Sequence, residues 1–108
     1  MNTDNITQTL SELVRIQSIS SDKEHADDIL KSAEFVKELF SNLGLDTKIA
    51  TSGESRPAVL AQTEIDPERK TILLYAHHDV QPVGDIKKWN TEPFTPEIID
   101  GRLYGRGS

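Results

Sequence analysis

With 108 residues, of which 35% are apolar, the chain has material for one modest domain with a small core. Eighteen acidic against twelve basic residues give a formal charge of −6, which excludes the basic stripe that nucleic acids or anionic membranes require. No cysteine is present, so disulfides and thiolate metal sites are excluded, and any metal must be held by His, Asp and Glu.

The N-terminal "MNTDNITQTL" lacks the basic and apolar regions of a signal peptide. The longest apolar run, "ILLYA", is far short of the ~20 residues that span a bilayer. A cytoplasmic protein is expected.

Asp4 or Thr3 can cap a first helix with Ile6, Leu10, Leu13 and Val14 at helical spacing, ending near "QSISSD", where serines favour a break. A second helix starts after Ser21 or Asp22 and runs to Leu43. It sets Ile29, Ala33, Val36, Phe40 and Leu43 on one face, with Gly44 as its stop. Strand patterns follow at 45–50, where Leu45, Thr47 and Ile49 alternate, at 58–62 ("AVLAQ") and at 71–76 ("TILLYA"), the most buried-looking segment. The linkers "TSGESRP" and "TEIDPERK" read as surface turns, and Asp100-Gly101 marks a tight hairpin between two short strands. Two helices feeding strands predict an α/β layer arrangement around a central sheet, in which ligands sit at the carboxyl ends of strands.

His77, His78 and Asp79 stand immediately beyond the strand expected at 71–76. If the extended backbone continues, alternation puts His77 and Asp79 on one side and His78 on the other. A neutral imidazole whose second nitrogen is held by a carboxylate makes a good zinc ligand, so His77 is the candidate metal ligand and Asp79 the residue that orients it. From the tripeptide alone, a metal-free His–Asp hydrogen bond at a strand end is an equal reading, since one His and one Asp cannot complete a zinc shell. His78 reads as structural or solvent-facing, and His25 as exposed. Trp89, Phe94 and Tyr104 read as packing residues rather than pocket walls. "GRGS" matches neither a nucleophile elbow nor a phosphate loop, so Ser108 has no motif for a nucleophile, and Gly105 and Gly107 mark backbone freedom around Arg106.

Taken together, "LLYAHHDVQPV" and "KKWNTEPFTPEIIDGRLYGRGS" resemble the first half of the active-site signature of metallopeptidase family 20, the aminoacylase/carboxypeptidase G/succinyl-diaminopimelate desuccinylase group. "LSELVRIQSIS" and "AEFVKELFSNLGLDTKIA" resemble the preceding helices in outline, and "DVQP" is most like the dipeptidase branch. Ala76 departs from the glycine that commonly precedes the histidine.

The resemblance implies a fold of class α/β, the N-terminal part of a three-layer zinc-exopeptidase-like catalytic domain with two helices followed by a mixed sheet. Residues 1–108 would be an incomplete portion of that domain, without the lid or dimerisation domain. It implies His77 as a zinc ligand, Asp79 as the catalytic-site carboxylate that clamps it, and two zincs per complete site, activating a water for attack on a dipeptide or N-acyl amino acid. The family's bridging aspartate, glutamate base and second histidine have no counterpart among these 108 residues, so the chain alone is expected to be inactive. A homodimeric parent is compatible with the family. The alternatives are a non-enzymatic truncated or partner-binding module and, within the family, an amino-acid deacylase or desuccinylase.

Overall fold

The computed structural model of the protein describes residues 3–53 and 56–108; Glu54 and Ser55 of the "TSGESRP" linker lie outside them. Helix α1 spans Thr3–Arg15 and α2 spans Ala26–Asn42, preceded by a 3₁₀ turn at Lys23–His25. Thr3 and Asp4 are both already helical, so neither is the expected cap, and the position before them lies outside the described residues. Asp22 caps the 3₁₀ turn instead, its side chain accepting from the Glu24 amide at 3.0 Å. At the other end Gly44, with φ +80°, closes α2 as the sequence predicts. The Leu45 amide reaches the Phe40 carbonyl and the Gly44 amide the Ser41 carbonyl, the paired bonds of a Schellman cap.

The strands form two separate antiparallel pairs rather than the mixed sheet expected. Strands β1 (Asp46–Ala50) and β2 (Ala58–Gln62) pair with Asp46 opposite Gln62 and Ala50 opposite Ala58. The half-buried residues on and before β1 are Leu45, Thr47, Ile49 and Ala50, the first three being the predicted alternation, and α2 packs on this hairpin. Strands β3 (Glu97–Ile99) and β4 (Arg102–Tyr104) form the second pair. Asp100 and Gly101 join them with φ of 51° and 76°, the two left-handed positions of a primed hairpin turn.

Residues 71–76 depart furthest from expectation. They join no ladder among the described residues, and Ile72, Leu73, Leu74 and Tyr75 are 80–91% exposed. An apolar run facing both ways is stable as a strand only with neighbours on both edges and cover on both faces, and the described residues supply neither. The core lies elsewhere: Val14, Ile16 and Ile19 at and after the end of α1 are buried, as are Ile29 and Ala33 in the first half of α2, while Ile6, Phe40 and Leu43 of the predicted apolar faces are exposed. A parallel bridge, Ile19 to Val80, ties the post-α1 linker to the segment following His78.

Candidate metal centre

The segment 77–80 is held from one side by backbone bonds. The Val80 amide donates to the Ser18 carbonyl at 2.9 Å, and the Ser20 amide to the Val80 carbonyl at 3.2 Å. This short ladder keeps the backbone extended, and the side chains then diverge. His77 Nδ1 lies 3.0 Å from the main-chain oxygen of Asp79 and 3.2 Å from its Oδ1. Both oxygens are acceptors, so Nδ1 carries the proton of the neutral ring, and Nε2 is left with a free lone pair. The imidazole is 74% exposed.

Among the described residues, Asp79 is the one group whose acidity is clearly displaced. The Ser20 hydroxyl hydrogen-bonded to it is the largest cause holding its carboxyl below the usual carboxylate range. Burial pushes the other way, and its own amide, the charge of His77 and the His77 hydrogen bond add to the lowering. An ionised Asp79 in turn favours the proton on Nδ1 of His77.

His78 faces the opposite way. Its Nε2 is 3.3 Å from the Pro57 carbonyl, and its Nδ1 is 3.0 Å from the hydroxyl of Ser32 on α2, whose residue is fully buried. His25 corrects an expectation: its side chain is only 23% exposed, because Nδ1 meets Asp28 Oδ2 at 2.7 Å one turn along. Trp89 donates its Nε1–H to the Val83 carbonyl at 2.9 Å, and neither Trp89, Phe94 nor Tyr104 lines the cleft beside His77.

That cleft, about 280 Å³, is walled by Leu10, Leu13 and Val14 of α1, by residues 77–81 and by Arg106. Gly105 and Gly107 are required here for close approach, and Gly107 for its left-handed backbone as well. A Cβ on Gly105 would stand 2.5 Å from Val14 Cγ1, and one on Gly107, at φ +89°, would stand 2.7 Å from Val80 Cγ1. Arg106 between them is thereby fixed against the cleft, and its Nε is buried without a hydrogen-bond partner among the described residues. The serines at 18, 20 and 32 were not singled out from sequence. Only the serine-rich turn after the first helix hinted at two of them, and it reads there as a helix break.

The donor chemistry fits a metal at one corner. His77 offers a lone-pair nitrogen with its tautomer set by Asp79, while among the described residues no three His, Asp or Glu side chains gather to hold an ion. No helix among them is long and apolar enough to cross a membrane.

The model for peptidase family M20/M25/M40 matches residues 73–108, which hold His77, Asp79, Arg106 and the β3–β4 hairpin. Over 97% of its length the chain is 35% identical to the Cys-Gly metallodipeptidase dug1 of Schizosaccharomyces pombe, and over 99% it is 36% identical to the cysteinylglycine-S-conjugate dipeptidase of Corynebacterium striatum. The crystal structure of human carnosine dipeptidase 1 superposes on 96% of the chain with a TM-score of 0.88 at 30% identity. In each case the chain spans about 24% of the relative's length. Over that quarter, the chain matches the M20 peptidase family, and dipeptidases within it, in sequence and in fold.

Proposed function

We propose that the chain contributes the first metal-ligand corner of a zinc dipeptidase site, as an N-terminal portion of the catalytic domain. The observation that carries this reading is the His77–Asp79 pair, with Nδ1–H engaged by Asp79 and Nε2 free beside a cleft. His77 would hold the ion through Nε2, and Asp79 would keep the proton on Nδ1 and raise the basicity of the ligating nitrogen. Bound zinc supplies Lewis acidity and a water acidic enough to act as nucleophile at neutral pH. Leu10, Leu13 and Val14 form an apolar wall on one side of the cleft. Dipeptides are favoured over N-acyl amino acids as substrates because the matched relatives are named for Cys-Gly, cysteinylglycine-conjugate and carnosine hydrolysis.

The test is a chimera in which this chain replaces the matching quarter of the S. pombe relative, assayed with zinc on Cys-Gly. Hydrolysis is expected. It should be abolished by His77→Ala and lowered about 10–100-fold by Asp79→Asn, the usual loss when the partner of a metal-bound histidine is changed. A chimera whose activity is indifferent to His77→Ala would refute the assignment. The 108-residue chain by itself, zinc added, is expected to turn over no dipeptide.

A further inference from the structure

We propose that His78, seated in a socket formed by Ser18, Ser32 and the Pro57 carbonyl, is a positioning residue that fixes how its neighbour His77 presents Nε2. This rests on the reading of His77 as a metal ligand. Beyond Asp79, little else among the described residues can fix that direction. Among the described residues, the chain just before His77 joins no ladder and is exposed, and the His77 ring hydrogen-bonds only Asp79. After it, the backbone is tied by the two Val80 bonds to the linker following α1.

The socket supplies the missing restraint. The Pro57 carbonyl can only accept, so the neutral His78 ring carries its proton on Nε2 and accepts at Nδ1 from the Ser32 hydroxyl. The Ser32 Oγ also lies 3.3 Å from the His78 carbonyl, but one hydroxyl proton cannot serve both acceptors fully. Ser18 covers that carbonyl with its own hydroxyl at 3.1 Å. Ser18 and Ser32 are 2% and 0% exposed, so water does not compete for either bond. With ring and carbonyl of His78 both held, the peptide planes on either side are set, and successive side chains of an extended segment must then point apart.

Histidine ¹⁵N spectra of the full chain at alkaline pH, where imidazoles are neutral, report the tautomer of each ring. The unaltered chain should show a single form of His77 with the proton on Nδ1. Ser32→Ala, which removes one hydroxyl and suits a helix, and His78→Phe, which keeps the ring volume, should each cause loss of that single form. His78→Asn, whose side-chain oxygen can accept from Ser32 in place of Nδ1, should restore it. Persistence of the single Nδ1–H form in both Ser32→Ala and His78→Phe, with helix amide signals unchanged, would overturn the proposal.

The chimera separates the two ideas. Scrambled tautomers in the variants of the chain, with chimera hydrolysis indifferent to His77→Ala, would leave the positioning role standing and remove the metal reading. An intact tautomer in the variants, with chimera hydrolysis abolished by His77→Ala, would do the reverse.

Discussion

At the scale of single residues, the behaviour of Asp79 with pH has a definite sign. Its folded carboxyl is held below the ordinary value of 3.8, chiefly by Ser20. A depressed folded pKa gives stability that is fully present above the unfolded value and is lost as pH falls through the folded one. In acid titration below about pH 4, the unaltered chain should lose stability more steeply than Asp79→Asn, whose side chain does not titrate. Ser20→Ala should move the Asp79 midpoint upward in a carboxyl-carbon NMR titration, and an unmoved midpoint would show that Ser20 is not the cause. Arg106 gives a second expectation, opposite to intuition. Arg106→Met keeps the packed stem and removes the unpaired buried Nε, so chemical denaturation should show a chain no less stable, and more stable by about 1 kcal/mol if the donor is wholly unmet. Alternation along the chain was enough to separate His77 and Asp79 from His78. The serines that hold the segment were not legible, because Ser18 and Ser32 meet His78 across 60 and 46 residues of sequence, and a serine gives no signal at that range.

At the scale of elements, the parts that sequence specified well are those whose determinants are local. The α2 stop rests on one glycine, and the β3–β4 turn on the Asp100-Gly101 pair. Strands β1 and β2 rest on an alternating stretch and a short apolar one. Stop, turn and strands form where the sequence puts them, while the pairing of β1 with β2 as a separate hairpin is not what the expected mixed sheet implied. The G-R-G segment shows what local reading leaves out. Its glycines looked like sources of flexibility, yet Gly105 lies against the buried Val14 of a helix some ninety residues earlier. Gly105→Ala should therefore destabilise the chain by about 1–3 kcal/mol, the usual cost of overpacking. Val14→Ala removes the Cγ1 that the new Cβ would strike. The double variant should then be less damaged than the sum of the singles in urea unfolding, and strict additivity would mean the two do not meet. Gly107→Ala should be worse than Gly105→Ala, because it adds a left-handed φ of +89° to its clash with Val80.

At the scale of the whole molecule, residues 71–76 explain why the strand with the strongest sequence signal is the one that fails to pair. A hairpin strand finds its partner a few residues away, whereas a strand apolar on both faces depends on distant segments at each edge. The chain spans about a quarter of its relatives' length, and within it Leu73, Leu74 and Tyr75 are 91%, 88% and 90% exposed. An extended, uncharged apolar segment with open edges is a template for pairing with a second copy. In sedimentation velocity the isolated chain should therefore show concentration-dependent association. Because Leu73 and Leu74 would face opposite sides of a strand formed there, the pair Leu73→Lys and Leu74→Lys places one charge on each side and should return a monomer. Neither side chain is buried, so the thermal unfolding midpoint should stay where it was. That combination also separates the two classes of reading open from sequence. Association abolished by the lysines marks a catalytic-domain portion with an unpaired central strand, whereas a monomer at every concentration before substitution would mark a self-sufficient module.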